Sequence, residues 1–455
     1  MEHGHDSKLY WRANQVLAGG FQTLSKNPNR YPQGIAPKLL SRGSGAFVWD
    51  SDENQYIDLV AGLGPILLGH CNPSVNNAVI DQVGRGASFS LGNAIEIEVA
   101  ELLVNLIPSI ETVRFGKNGA DVTNAAVRLA RHETGRKHVI FCGYHGGHDS
   151  YIATTPNNSG TLPELAQFNH QIQWGNQIQL FNLLQEINWK DGNTSEPGLA
   201  AIMVEVPPPV YGDSASEESY RSFLWFLRET AHNNGALFIL DEVVTGFRKH
   251  PGGAQEFYGV LPDLSCFSKA MGNGFSVAAL GGNRDIMKHF ENGEVFMSTT
   301  FGGETIGLAA ASVVISAISY TSAWDNLYCM GMELLQRLGN LIKNNNIPAL
   351  LTGDHSRMLI KFQDVEGIAT ADELKTLWQQ EMIKRGVLAG GPILPMVCYT
   401  NEIVNEIMSA AEATMEIIKH AIGVGRVIDA LQCPVISDVF AKRYQTSDQK
   451  AKMVW

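Results

Sequence analysis

The sequence has few cysteines for its length, and none of them forms a closely spaced pair. The 455 residues include six cysteines, which lie far apart at Cys71, Cys142, Cys266, Cys329, Cys398 and Cys433. Without a CxxC pair, the spacing argues against both a disulfide framework and a zinc knuckle. We therefore expect reduced thiols, with Cys142 and Cys266 in the core because both lie in apolar, strand-like runs.

Positive charge and long apolar runs are lacking as well. The formal net charge is -12 at pH 7, and no basic stripe of the kind that binds nucleic acid is present. No apolar run reaches the length of a membrane span, and residues 1–15 lack the basic start and apolar core of a signal peptide. The sequence therefore predicts a soluble, cytoplasmic protein that binds neither nucleic acid nor membranes.

What remains is an ordinary globular composition in a chain long enough for more than one lobe. Hydrophobic residues make up 44% and charged residues 18% of the chain, which fits a folded protein. From about residue 76, helix-like and short apolar segments alternate, as in a doubly wound, mostly parallel sheet. The segments on which this prediction depends are a helix at 94–106 and strands at 139–142, 200–204, 237–240 and 264–267.

An acid and an amine stand at the ends of two of these predicted strands. Asp241 follows the run 237–240, while Lys269 follows the run 264–267 and precedes the glycine-containing segment 271–274. Open α/β sheets bind ligands at the carboxyl ends of their strands, and glycine lets the backbone approach a ligand closely. A lysine can act as a covalent catalyst there when burial favours its neutral form. A surface lysine and a loop carboxylate would give the same local pattern, so both interpretations stay open at this point.

A possible phosphate site lies at the start of another predicted helix. Asn118 can cap a helix whose apolar residues recur at helical spacing, at Val122, Ala125, Ala126, Leu129 and Ala130. The amides of Gly119 and Ala120 would then lie at the positive end of that helix, where a phosphate binds well. A helix start that caps only itself is the alternative.

Several of these segments resemble one known family. The sequence motifs DEVVTGFR, SKAMGNG, YHGG and TTFGG resemble those of the pyridoxal 5′-phosphate (PLP) site in class III aminotransferases. The resemblance is strongest to the branch that includes glutamate-1-semialdehyde aminomutase. The resemblance covers about residues 15–420 and implies a fold type I PLP-dependent transferase. It implies a large PLP-binding domain at 76–325 and a smaller α+β domain formed by 1–75 and 326–455.

The resemblance also implies roles for residues around the cofactor ring. Lys269 would hold PLP as an imine and act as general acid and base, while Asp241 would pair with the pyridinium nitrogen. Val243 would pack against one face of the ring. Tyr144 would lie over the ring, followed by His145 in the Tyr-His-Gly word of the family.

Further implied roles concern the phosphate and the substrate side of the ring. The phosphate-binding motif of the family corresponds to Asn118, Gly119 and Ala120. The family usually has Ser and Thr where this chain has Asn118 and Ala120. Glu205 matches a glutamate near the phenolic oxygen of the cofactor. Thr300 matches a threonine that reaches the phosphate of the neighbouring subunit's cofactor, so a homodimer with shared active sites is implied.

The substrate-binding segments depart from the aminomutase pattern. That pattern has a serine and an arginine in the segment corresponding to residues 22–26, and a tryptophan where Leu63 stands. Lys26 would hold a substrate carboxylate less firmly than a bidentate arginine. Val210 replaces an asparagine that the aminomutases use close to the ring. These differences predict a substrate other than glutamate semialdehyde.

The sequence therefore predicts an aminotransferase that moves an amino group between a small amino donor and a carbonyl acceptor, neither of which is identified. An intramolecular aminomutase of the glutamate-1-semialdehyde type and a non-catalytic PLP-binding relative are the alternatives. Metal binding by His145 and His148, spaced HxxH, is not favoured because the sequence indicates no third ligand. We predict no metal site.

Overall fold

The computed structural model describes residues 4–191, 198–207 and 214–436. The strands are β1 (Leu40–Ser44), β2 (Phe47–Asp50), β3 (Gln55–Asp58), β4 (Thr112–Gly116), β5 (His138–Cys142), β6 (Asn169–Gln171), β7 (Leu199–Glu205), β8 (Leu237–Asp241), β9 (Leu264–Phe267), β10 (Ala278–Gly282), β11 (Ala349–Asp354), β12 (Arg357–Phe362) and β13 (Val387–Leu388). The helices are α1 (Gly4–Val16), α2 (Pro73–Arg85), α3 (Ala94–Leu106), α4 (Gly119–Thr134), α5 (Asp149–Ile152), α6 (Gln177–Asp191), α7 (Ser214–Asn233), α8 (Gly253–Tyr258), α9 (Arg284–Met287), α10 (Thr305–Tyr320), α11 (Ala323–Asn344), α12 (Ala371–Lys384) and α13 (Asn401–Val424).

The described chain forms two compact units. The first consists of residues 4–72 and 325–436, and the second of residues 73–191, 198–207 and 214–324. Among the described residues, no single helix has both the length and the apolar composition needed to cross a membrane, although α10 and α11 meet that test together as a bent pair.

The first unit contains a small sheet and a hairpin packed with helices. Strands β1, β2 and β3 are antiparallel neighbours, and β13 adds to β3 in parallel. Strands β11 and β12 form the hairpin. Helices α12 and α13 contribute Leu377, Met382, Ile407 and Met415 to the apolar core of the first unit.

The second unit is built on a seven-stranded sheet in the order β4-β10-β9-β8-β7-β5-β6. Strand β10 runs antiparallel to both of its neighbours, and the strands from β9 to β6 are parallel. Because β10 is antiparallel to both β4 and β9, β4 runs in the same direction as the parallel strands. Strands β5, β8 and β9 are mostly apolar and almost fully buried, because helices cover both faces of the sheet.

Two separate apolar cores occupy the two faces of this sheet. Helix α4 packs on one face through residues such as Val122, Ala126 and Leu129, and α7 packs on the other through Phe223 and Leu227. This large, mostly parallel sheet confirms the predicted fold class. Cys142 and Cys266 lie in these cores, as predicted.

The predicted helix at 94–106 and the predicted strand at 264–267 have the observed bounds of α3 and β9. Helix α3 begins at Ala94 because Asn93 caps it. The Asn93 side chain accepts a hydrogen bond from the Ile95 amide at 3.1 Å, and Glu96 accepts one from the Asn93 amide at 2.7 Å.

Candidate active site

The carboxyl ends of neighbouring strands bring several predicted site residues to one edge of the large sheet. The register pairs Glu205, the last residue of β7, with Asp241, the last residue of β8. Asp241 is paired in turn with Cys266 of β9, and Lys269 follows three residues later. The ends of the parallel strands therefore lie side by side, which is where such sheets place ligands.

Asp241 is buried and held by two hydrogen bonds. Its side chain lies 2.8 Å from His145 Nδ1 through Oδ2, and its Oδ1 accepts the amide of Val243 at 3.0 Å. The His145 ring nitrogen therefore contacts one carboxylate oxygen, and the Val243 amide contacts the other. These contacts fix the orientation of the carboxylate.

His145 is itself fixed from several sides. Its carbonyl accepts the hydroxyl of Thr123 at 2.8 Å, and its ring packs edge-on against Tyr151 with centroids 5.4 Å apart. The residue is 3% exposed. Its Nε2 is buried and has no hydrogen-bond partner among the described residues, so a buried donor or acceptor is left for a ligand.

The glycine-rich loop after β5 lies close to Glu205. Gly143 has φ +119°, and a Cβ at this position would lie 2.8 Å from the Glu205 Cβ, so only glycine fits. The amide of Tyr144 donates to Glu205 Oε2 at 3.3 Å. The carbonyl of Gly143 accepts the hydroxyl of Tyr151 at 2.9 Å. This loop therefore holds Tyr144 beside Glu205.

The ring of Tyr144 is available for contact with a ligand, since the residue is 56% exposed. Partial burial raises the pKa of its hydroxyl, and the nearby carboxylates of Glu205 and Asp241 raise that pKa further. The Tyr144 hydroxyl therefore stays protonated and neutral at physiological pH. Its ring stands edge-on to Tyr151, with centroids 5.5 Å apart.

The start of α4 lies against Val243. Asn118 is the N-cap residue, as the sequence pattern indicated, and its amide donates to Asp121 Oδ2 at 2.8 Å. A Cβ on Gly119 would lie 2.8 Å from both methyl carbons of Val243. Gly146, with φ +101°, approaches Ala120 so closely that a Cβ would lie 2.6 Å from the Ala120 Cβ. The structure thus brings together Gly119, Ala120 and Val243.

Lys269 lies at a strained position after β9. It has φ +43° and begins a short 3-10 turn, Lys269–Gly272. A non-glycine residue in the left-handed region is held there by its surroundings. The preceding Ser268 donates its hydroxyl to the Val277 carbonyl at 2.8 Å, and Ala270 and Met271 are fully buried. These neighbours fix the backbone from which the half-buried lysine side chain extends.

Glu242, adjacent to Asp241, has a structural role. It is fully buried and accepts the amides of Ala254 and Gln255 at 2.9 and 3.0 Å, together with the hydroxyl of Thr245. Burial raises the pKa of its carboxyl, and these hydrogen bonds oppose that shift. Glu242 therefore holds the start of α8 and is turned away from the contacts of Asp241.

The remaining predicted residues belong to other segments of the chain. Thr300 is exposed. Lys26 is exposed in the first unit, where Leu63 is half-buried with φ +77°. Val210 lies outside the described residues. His148 contacts Asp121 at 3.3 Å, so His145 and His148 bond to different carboxylates.

The sequence analysis missed four residues that shape the site or its surroundings. Tyr151 and Thr123 hold the backbone and ring of His145, and Lys117 forms an ion pair with Glu304 at 2.6 Å beside the start of α4. None of these residues carries a local motif. Their roles depend on contacts between segments far apart in the chain.

Comparison with known proteins identifies the family. The family model for class III aminotransferases matches residues 31–354. The glutamate-1-semialdehyde 2,1-aminomutase of Alkaliphilus metalliredigens is 32% identical over 406 residues, covering 85% of this chain and 89% of that protein. The corresponding protein of Aquifex aeolicus is 32% identical over 403 residues, covering 84% and 92%.

A solved structure shares the fold. The PLP internal aldimine form of the FumI protein of Sphingopyxis sp. MTA144 aligns with a TM-score of 0.82 at 24% identity, covering 94% of this chain and 99% of that one. The chain belongs to the class III aminotransferase family. It is a PLP-dependent enzyme of that class, which confirms the predicted resemblance, enzyme class and cofactor.

The residues present fit PLP. Gly119 and Gly146 let Val243 and Ala120 pack closely at the start of α4, and helix starts of this kind bind phosphate. Asp241 supplies a buried, oriented carboxylate, and His145 Nε2 offers a buried nitrogen without a partner among the described residues. The donor set matches an anionic phosphate at one end and a cationic ring nitrogen at the other.

The close approach of Gly119 to Val243 predicts the effect of a single methyl group. We expect Gly119→Ala to weaken PLP binding about tenfold or more, because overpacking costs about 1–3 kcal/mol and about 1.4 kcal/mol corresponds to tenfold in affinity. Titration of the cofactor-free protein with PLP measures the dissociation constant. Gly147→Ala is the control, since a Cβ at Gly147 would meet nothing within 4 Å. Equal affinity of both variants would contradict this account of the phosphate end.

Proposed function

We propose that the protein transfers an amino group from a small amino donor to a carbonyl acceptor, with PLP held between Lys269 and Asp241. The observation that supports this most strongly is the pairing of β8 with β9 in parallel register. It sets a buried, oriented carboxylate beside the strand that leads to the lysine. We also propose that 76–325 is the PLP-binding domain and that 1–75 and 326–455 form the smaller domain, in keeping with the two compact units.

Each residue in this proposal has a chemical task. When bound, PLP supplies an electron sink for the carbon next to the substrate nitrogen. The Asp241 carboxylate favours the protonated ring nitrogen on which that sink depends, and His145 keeps the carboxylate in position. Lys269 Nζ accepts the α-proton of the amino donor as a general base and holds it until it is returned.

The other residues hold and orient the cofactor. The amides of Gly119 and Ala120, with the side chain of Asn118, bind the phosphate at the positive end of α4. Val243 would contact one face of the ring and Tyr144 the other.

Glu205 lies between these groups and the substrate. Its Oε2 accepts the amide of Tyr144, which places the carboxylate beside the residue proposed to cover the ring. We propose that Glu205 faces the phenolic oxygen of the cofactor.

Replacing the lysine tests the central assignment. We expect Lys269→Ala to lose the absorbance band at roughly 410–430 nm that marks lysine-bound PLP. Amino-group transfer should fall by a factor on the order of 10² to 10⁴, because a general acid–base group is removed. Lys419→Ala, at an exposed lysine of α13, should keep both signals. Retention of the band and the activity by Lys269→Ala would show that another lysine holds the cofactor.

An intramolecular aminomutase is the second candidate function. It is supported by the curated relatives, which are named glutamate-1-semialdehyde 2,1-aminomutases. Lys26 and Leu63 stand against it, because they occupy positions where the resemblance implies an arginine-containing segment and a tryptophan. We propose that both residues contact the substrate and that the acceptor is a different carbonyl compound.

The need for a separate amino donor distinguishes the two functions. We expect the PLP form of the protein to convert to the amino form with at least one amine from a panel, and to transfer that amino group to an added carbonyl compound. We expect no isomer from glutamate 1-semialdehyde supplied alone. Formation of that isomer without a donor would instead establish the aminomutase, and failure of every amine would favour a non-catalytic PLP-binding relative.

We propose that the functional unit is a homodimer with shared active sites, in the cytoplasm. The exposed hydroxyl of Thr300 supports the dimer, as do the neighbouring Phe296 and Phe301, which are 67% and 56% exposed. Exposed apolar side chains grouped in this way favour association. The cysteines described by the structure are free thiols, which supports a reducing compartment.

Mixed dimers test whether the site is shared. We expect Thr300→Ala to weaken PLP binding about tenfold, since a lost hydrogen bond to a charged group costs about 1.5–3 kcal/mol. A dimer of one Lys269→Ala chain and one Thr300→Ala chain should contain one intact site with the wild-type affinity for PLP. If Thr300 serves its own chain, that hybrid shows only the weakened affinity. A monomer in light scattering at working concentration would contradict the dimer itself.

A further inference from the structure

Two histidines and two glutamates form a compact cluster away from the proposed PLP site. His132 and Glu133 lie in the last turn of α4, and His289 lies in the short turn Lys288–Phe290. His289 Nδ1 is 2.7 Å from Glu294 Oε2, and His132 Nε2 is 3.5 Å from the same oxygen. The two imidazole rings stand edge-on with centroids 4.6 Å apart.

These groups lie close to the spacing that a divalent transition metal requires. One ligand atom from each of His132, His289 and Glu294 lies within 4.8 Å of the other two. Ligands of tetrahedral zinc lie about 2.0–2.2 Å from the metal and therefore about 3.3 Å from one another. The pair His132–Glu294 already has this spacing, and the pair His289–Glu294 needs to open by about 0.6 Å.

Glu133 completes the arrangement from behind His289. Its Oε2 lies 2.7 Å from His289 Nε2, the ring nitrogen opposite the one that faces Glu294. A carboxylate on the far nitrogen of a ligating histidine fixes the orientation of the ring and makes the ligand more basic. The cluster therefore has a group that supports a ligand as well as the ligands themselves.

The surroundings also favour a cation. The cluster lies at the carboxyl-terminal end of the 16-residue helix α4, where the helix dipole is negative, and its two carboxylates add two negative charges. Side-chain exposures of 39% for His132 and 46% for Glu294 leave a path for a metal and room for a water ligand.

Both imidazoles converge on one carboxylate oxygen. His289 Nδ1 lies 2.7 Å and His132 Nε2 lies 3.5 Å from Glu294 Oε2. A metal that binds one atom of each side chain would use this convergence.

We propose that His132, His289 and Glu294 bind a divalent transition metal of the zinc class, with Glu133 orienting His289. The metal would join the end of α4 to the segment that leads to Thr300. That segment is already attached to its surroundings, because the amide of Val295 donates to the His289 carbonyl at 3.1 Å and Arg114 Nε donates to the Met297 carbonyl at 3.0 Å. The site is therefore structural, since it lies apart from the strand ends that carry the proposed chemistry.

Binding of Zn²⁺ to the full-length, metal-stripped protein tests the proposal. We expect one Zn²⁺ per chain by equilibrium dialysis and calorimetry, and loss of that binding in His132→Gln, His289→Gln and Glu294→Gln. Glu133→Gln should bind about 10- to 100-fold more weakly, as expected for a group that orients a ligand. His420→Gln, which replaces an exposed histidine of α13, is the control and should bind as the wild type does.

Two further measurements locate the metal. Bound Co²⁺ should give visible absorption with the intensity of a four-coordinate site, and Zn²⁺ should slow amide exchange in residues 128–135 and 289–297. Circular dichroism confirms that each variant is folded. No Zn²⁺ binding, equal binding by all variants, or protection near the exposed Cys71 or Cys329 would overturn the proposal.

Discussion

The burial of Asp241 is the constraint on which the rest of the proposed site depends. A buried carboxylate is costly unless charge-stabilising hydrogen bonds replace water. His145 and the amide of Val243 provide them. His145 is held in turn by Thr123 and Tyr151. Contacts from three separate segments therefore fix the orientation of the Asp241 carboxylate. A rigid carboxylate of this kind can keep a positive charge on a ring nitrogen throughout a reaction.

Sheet topology explains why residues so distant in the sequence lie close together. Parallel strands present their carboxyl ends at one edge, and the register of β7, β8 and β9 sets Glu205, Asp241 and the approach to Lys269 side by side. The start of α4 reaches the same edge because β4 runs in the same direction. Close packing of Gly119 on Val243 then brings the proposed phosphate end next to the proposed ring site. Membership of the class III aminotransferase family agrees with this arrangement.

The sequence predicted the elements that local patterns mark, such as apolar periodicity or a helix cap. It missed the elements that depend on contacts between distant segments. Helix α3 and strand β9 have the predicted bounds because apolar periodicity and, for α3, the Asn93 cap mark them. Strand β10, with the sequence AALGG, has no such signal and forms only because it pairs with β4 and β9. Nothing local distinguishes Asp241 from Glu242, since that difference arises from the contacts of Glu242 with the start of α8. The same limit applies to the cluster around His289, which joins two distant segments.

A crystal structure of the protein with PLP bound tests the central claim most directly. The account predicts a covalent link to Lys269 Nζ and a carboxylate oxygen of Asp241 within hydrogen-bond distance, about 2.7–3.2 Å, of the ring nitrogen, while His145 Nδ1 still contacts that carboxylate. A ring whose nitrogen faces any other group, or a cofactor attached to a different lysine, would contradict it.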